Sequence, residues 1–340
     1  MIPPILISFC NVESAAAPLL ALYDAGAEQM LPLCFPEDVP YLRGITGLAQ
    51  CERYIYVATQ HRKAIGHAGP TPREHFLLIF DRSDFSLLTR YSFQVAHDIH
   101  SLCWLNGSLY VVSSGTDEVI EVRLKGHAVL SEEPFLRFAP DQPRSDIHHL
   151  NGICLHDGTL VISGFGQKNG ATWSVADQGF VMDVRRREVM AANLQQPHSP
   201  TSFGSRVAFC ESRRLNVGLT GRPMRRTLPG YTRGICVAGN DLLVATSVAR
   251  TVSYSTGSMV LNAGALQETS GRCTITHLHG EDLMVRSAID VLLPAHEIFD
   301  MLPVYDVGNW PVQVKTSFAD RSHWRSSAEA CAPRITFLQA

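Results

Sequence analysis

One unit recurs along this chain and limits what it can become: an apolar strand ending in a polar turn, followed by a second strand of alternating β-formers. Aligned on the turn, IHSLCWLNGSLYVVSS (99–114), LNGICLHDGTLVISG (150–164) and TRGICVAGNDLLVATS (232–247) share it closely, with HSPTSFGSRVAFCES (198–212) and TGLAQCERYIYVATQ (46–60) as looser copies. Strand, Gly/Asn/Asp turn, strand rich in Val, Ile, Tyr and Leu is the pattern of a β-hairpin. The first strands start at Thr46, His100, Asn151, His198 and Arg233, at steps of 54, 51, 47 and 35 residues. Such steps suit propeller blades of about 40 to 50 residues with variable outer loops. They are too long for ankyrin or tetratricopeptide units, and the lack of long 3.6-residue periods argues against an α/β sheet. The predicted fold is all-β, a six-bladed β-propeller over residues 1–305, with 306–340 as a C-terminal extension carrying Trp310 and Trp324.

Later strands of the same blades are read at HFLLIFD (75–81), EVIEVRL (118–124), GFVMDV (179–184) and CTITHLH (273–279). The N-terminal ILISFCN has no strand and turn before it, so it reads as the second strand of a blade. The segment EIFDMLPV (297–304) is then free to supply the missing strand, and the two chain ends are expected to close the ring, which removes exposed sheet edges. The short step from His198 to Arg233 predicts a trimmed blade.

The alignment also predicts a site. Innermost strands of a propeller run along its central channel, so Thr46, His100, Asn151, His198 and Arg233 are expected to meet at one rim of it. The residues after them, Gly47, Ser101, Gly152, Ser199 and Gly234, are all small and let the strands crowd round the axis. His97, Asp98, His148, His149 and Gln196 lie just before the starts and add donors and acceptors, so that five of the 14 histidines fall at equivalent points. Imidazoles serve both as proton shuttles near neutral pH and as transition-metal ligands. His100, His198 and Arg233 are therefore the catalytic candidates, Arg233 through its planar fork of donors to an anionic group. Thr46, Asn151, His97, Asp98 and His148 are candidates for holding substrate, and His100, His149 and His198 for holding one divalent metal ion. Histidines at loop-to-strand junctions also simply satisfy backbone groups, and DIH or DIHH is ordinary turn chemistry.

Composition narrows the field by exclusion. A net charge of -3 offers no basic field for phosphate backbones, so no nucleic-acid partner is expected; RRR (185–187) and RPMRR (222–226) read as solvated loops. SGFGQKNG (163–170) and SSGTDE (113–118) match no phosphate loop, hence no nucleotide cofactor, and there is no GxSxG elbow. MIPPILISFCN lacks a cationic region before an apolar run too short to span a bilayer, so neither secretion nor membrane insertion is expected. Nine cysteines without a CxxC pair read as reduced, buried thiols, and the compartment as cytoplasmic.

At DIHHLNGICL (146–155), LQQPHSP (194–200) and LPGYTRGICVAGNDLLVATSVAR (228–250) the chain resembles a bacterial family of conserved hypothetical six-bladed-propeller proteins classed as a domain of unknown function. The blocks HLNG, PHSP and LPGYTRG occur here in the family's order, and the resemblance extends from about Arg43 to Pro303. More distantly, the layout is similar to the gluconolactonase and strictosidine-synthase-like propellers, where metal-binding or catalytic polar residues sit at the channel mouth. The resemblance implies the architecture and the importance of His149, Asn151, His198 and Arg233; it implies no reaction. After PHSP, ESRRLNVG (211–218) departs from the family's small, glycine-rich strand end. The expected function is an enzyme of lyase, isomerase or hydrolase type acting on a small, polar, anionic metabolite. A non-catalytic propeller that binds a ligand or a protein partner is the alternative.

Overall fold

A computed structural model of the chain describes residues 2–12, 17–35, 42–61, 75–168, 173, 176–248, 272–294, 297–313 and 331–332. They form six four-stranded antiparallel sheets, the blades of a propeller. Blade 1 is closed by both chain ends: its innermost strand is Ile298–Pro303, and Ile5–Phe9 follows as second strand, with Ile7 opposite Met301. The innermost strands of blades 2 to 6 are Leu42–Gln50, Ile99–Leu105, Leu150–His156, Pro197–Phe203 and Tyr231–Ala238. The anticipated third strands are all present, at Phe76–Asp81, Glu118–Lys125, Gly179–Asp183 and Thr274–His279.

The repeat folds this way because its turns dictate it. Asn106 and Gly107, and likewise Asp157 and Gly158, all have positive φ, the pairing that matches the twist of a two-residue hairpin. Blade 5 is trimmed as expected yet keeps four strands, the outer two being only four and three residues long, Asn216–Leu219 and Arg225–Thr227. The apolar core lies in the seams between blades. Tyr56, Leu77 and Ile79 of blade 2 pack on Leu102, Val111 and Ile120 of blade 3, and Cys210 and Val217 of blade 5 on Ile235 and Val244 of blade 6. Burying both faces of each sheet in this way stabilises the ring at roughly 25 cal/mol per Å2 of apolar surface.

Past the last blade strand, Val307, Trp310 and Val312 join the core of blades 1 and 2, and Trp310 Nε1 donates to the Arg82 carbonyl at 2.8 Å. The start of the extension is thus packed; Trp324 lies outside the described residues. One expectation is overturned. Among the described residues seven cysteines are free, but Cys34 is disulfide-bonded, so the thiols are not all reduced. No helix among the described residues is long and apolar enough to cross a membrane.

Candidate functional site

Every innermost strand carries a register shift against its neighbour at the same place. The shifts fall between Ile45 and Gly47, Ile99 and Ser101, Leu150 and Gly152, His198 and Thr201, Thr232 and Ile235, and, in blade 1, around Phe299. A β-bulge bends its strand and re-aims a side chain that the pleat would otherwise press against the next blade. Here Thr46, His100, Asn151, Arg233 and Phe299 sit at the bulges, and His198, paired with Cys210, borders the one in blade 5. Five of them, all but Thr46, line a cavity of about 350 Å3 that runs down the axis between all six innermost strands.

The next position in each strand alternates round the ring: Asp300, Gly47, Ser101, Gly152, Ser199, Gly234. The three polar residues reach into the following blade, where Leu48 N donates to Asp300 Oδ2 (2.9 Å), Ile153 N to Ser101 Oγ (3.3 Å) and Gly234 N to Ser199 Oγ (3.1 Å). The three glycines leave room for the same neighbours. A Cβ on Gly152 would stand 2.3 Å from Pro200 Cδ, and one on Gly47 3.0 Å from Leu102 Cγ. The expected crowding of strands by small residues is borne out, with this reciprocity added.

Two imidazoles are set by one backbone device. Asp98 and Gln196 adopt left-handed φ of 52° and 53°, and their carbonyls accept the Nδ1–H of His100 and His198, each at 2.8 Å. A carbonyl can only accept, so the proton sits on Nδ1 and each Nε2 keeps a bare lone pair. In blade 5 the unexpected ESRR stretch forms a short helical turn whose Ser212 Oγ also lies 2.6 Å from His198 Nδ1. Burial, then the charge of Arg233, holds His198 well below the ordinary imidazole value, and burial lowers His100 to about 4. Both rings are neutral at neutral pH.

The donors on the ring are differently placed. Arg233 pairs through Nη1 with buried Glu297 and lies over the Phe299 ring at 4.0 Å, while its Nε has no partner among the described residues. Glu297 is itself held by Asn11 Nδ2 at 2.7 Å. Among the described residues nothing pairs with Nδ2 of Asn151, which is 2% exposed, or with the hydroxyl of Thr46. Buried orphans of this kind are costly and point to an absent partner. Asp300 completes the set, its carboxyl raised to about 6 by burial in spite of two backbone N–H donors.

Residues 137–309 match a family model described as "Domain of unknown function (DUF4915)", just over half of the chain. The chain belongs to this family. No curated protein matches it in sequence. Among solved structures its fold is similar to a chain of the nidogen/laminin complex, with a TM-score of 0.57 and 10% identity over 89% of this chain and 99% of that one. It is also similar to a luciferin-regenerating enzyme (TM-score 0.51, 11% identity, 75% and 78% covered). A putative 6-phosphogluconolactonase from Bacteroides fragilis NCTC 9343 gives a TM-score of 0.52 at 11% identity, with 88% and 97% covered. At such identities the likeness is one of fold.

Within this family member the remaining predicted residues divide. His149 stands behind the ring, 4.9 Å from His100 between ring centroids, with Nδ1 3.0 Å from Asp146 and Trp173 Nε1 on the same carboxylate. His148 faces the opposite way, into a blade seam, on Asp117 and Phe138. His97 is exposed, and Asp98 serves the ring through its carbonyl. The residues do not fit a preformed metal site: among the described residues no group of three His, Cys, Asp or Glu side chains is placed to hold an ion. Phe299, Asp300 and Glu297 escaped sequence reasoning, although EIFDMLPV could have been laid on the repeat with residue 299 in the ring position.

Proposed function

We propose that the axial cavity binds a small hydroxylated anion and that the protein is an enzyme acting on it by lyase, isomerase or hydrolase chemistry. One observation carries this reading: acceptors and donors without partners among the described residues share one ring at the axis. The Nε2 atoms of His100 and His198 can accept a ligand hydroxyl, while Asn151 Nδ2 and Arg233 Nε can donate to a carboxylate or carbonyl oxygen. Convergent polar groups in a central cavity are the ordinary mark of a ligand site. Asp300 and the Arg233–Glu297 pair already bring charge of both signs to this wall, and an entering anion adds negative charge beside the imidazoles. It raises the basicity of both imidazoles, so that base strength develops where the substrate lies.

The low proton affinity of His100 and His198 in the free protein equally favours a carrier that binds without reacting. Proton NMR of a panel of hydroxy acids and their lactones, mixed with the full chain, separates the two: consumption of a panel member is expected of an enzyme, line broadening alone of a carrier. Either effect should disappear in His198→Asn, which keeps a donor for the Gln196 carbonyl but loses the Nε2 acceptor. Effects that persist unchanged in that variant, or a panel that neither broadens nor reacts, would count against the site. For location we propose the cytoplasm on the seven free thiols, with the Cys34 disulfide as the contrary observation.

A further inference from the structure

We infer that the ligand of this cavity is amphipathic: an oxygen-bearing anionic head on the ring and an apolar body lying along the channel beyond it. The inference rests on the binding reading above and extends it to substrate class. It comes from a contrast between the ring and the rest of the cavity wall.

Beyond the ring, the polar side chains are already committed to the protein. Ser202 Oγ holds His156 Nδ1 at 2.9 Å, Thr201 Oγ1 donates to the Ser199 and Ile235 carbonyls, and both oxygens of Asp300 take backbone N–H groups. Gln50 spends Nε2 on the Pro303 carbonyl and keeps only Oε1 without a partner. The inward amides of Leu48, Ile153 and Gly234 are covered by the neighbouring blade's Asp300, Ser101 and Ser199. Apart from the free backbone edges of the innermost strands, what the side chains of the wall offer a ligand is therefore chiefly apolar.

Two positions past the ring stand Leu48, Leu102, Ile153, Pro200, Ile235 and Met301, which border the cavity from all six strands, while all but Pro200 keep most of the side chain in the seams between blades. One position further Cys103, Cys154 and Cys236 also border the cavity, and their thiols stay neutral because burial pushes Cys103 up to about 12 and raises the other two. Toward the far end Trp104 is fixed by stacking on Tyr56, with ring centroids 5.1 Å apart, and Leu155 is 37% exposed. A hydroxy acid of three or four carbons would satisfy the ring yet leave most of about 350 Å3 unfilled. Ligand sites of this size normally cover most of their ligand with apolar contact.

The test is isothermal titration of the full chain with straight-chain 2-hydroxycarboxylates from four to ten carbons, below their aggregation limits. Each methylene drawn into an apolar wall strengthens binding about fourfold, so Kd is expected to fall by that factor per carbon until the cavity is full and then level off. His198→Asn should weaken every member alike, since the head is common to all. A Kd that does not change with chain length while His198→Asn still abolishes binding would overturn the amphipathic inference and leave the polar-head reading standing. If no member binds at all, both fall together.

Discussion

Blades 3 and 5 are near copies of one another at the axis, and blade 4 between them is built differently. In the two copies a left-handed residue, Asp98 or Gln196, lends its carbonyl to an imidazole two positions on, and a serine follows. In blade 4 the left-handed residue is itself a histidine, His149, held by a carboxylate; the ring position is Asn151 and the next residue is glycine. The same backbone device thus presents bare acceptors from two blades and an unpaired donor from the third. Packing is complementary too, because the serines reach out while Gly152 receives Pro200. A repeat fixes where side chains meet, and departures from the repeat decide what chemistry they bring.

The largest effect should follow from filling the receiving blade. Gly152→Ala would put a methyl group 2.3 Å from Pro200 Cδ and 3.0 Å from Ser163 Oγ, between two innermost strands that cannot part without opening the ring. Overpacking of this kind is expected to cost about 3 kcal/mol in denaturant unfolding. Gly158→Ala supplies the control. Its φ of 73° strains any side chain, but nothing lies within 4 Å, so about 1 kcal/mol is expected. Equal losses in the two variants would show that the ring is not closed by tight contact at Gly152.

A second prediction sharpens the contrast in acid behaviour. An imidazole in the unfolded chain takes up its proton near 6.5, whereas His100 in the folded protein does so only near 4. Between those values the unfolded state binds more protons, so stability falls as the pH is lowered through that window, and this group adds no further loss below it. His100→Asn keeps a donor for the Asp98 carbonyl and removes the titration. Its thermal midpoint should fall less steeply than the wild type's from pH 6.5 to 4. Parallel curves would mean that the ring of His100 is open to protonation in the native state.

Much of this arrangement is legible in the sequence because the β-hairpin repeat registers it. Thr46, His100, Asn151, His198 and Arg233 are named by alignment alone, and the structure puts each at or beside a bulge of an innermost strand. What the repeat does not register is what side chains find across the molecule. His148 and His149 are neighbours in DIHH, yet one turns to Asp117 and the other to Asp146, because only His149 adopts the left-handed backbone that reverses its direction. Arg233 reads as a free cation until Glu297, 64 residues on, is seen to pair with it. The sixth ring position was hidden for a topological reason, since blade 1 is split between the two ends and its ring residue, Phe299, is apolar. Nothing in the local sequence sets Cys34 apart from the other cysteines, since no CxxC spacing marks it.

A third prediction separates stability from binding. Asn151→Leu replaces an amide whose Nδ2 has no partner by an apolar group of similar size. Removing an unsatisfied buried donor should raise stability by about 1 kcal/mol while weakening ligand binding. A variant that is less stable instead would show that the amide has a partner in solution, such as ordered water.

The smallest effect tests the reaching blades. Ser101→Ala removes the acceptor of Ile153 N–H, and Ser199→Ala that of Gly234 N–H. Loss of a neutral hydrogen bond commonly costs about 1 kcal/mol, and more when the orphaned group is sealed from water. Here both amides belong to strands that line the cavity, so water can take the place of the missing hydroxyl. Each variant should therefore lose only about 0.5 kcal/mol in denaturant unfolding, and the two losses should be equal and additive, since the pairs lie in separate blade junctions. A loss several times larger in either one would mean that the cavity is dry at that junction, and the reach of one blade to the next would then be a main support of the ring.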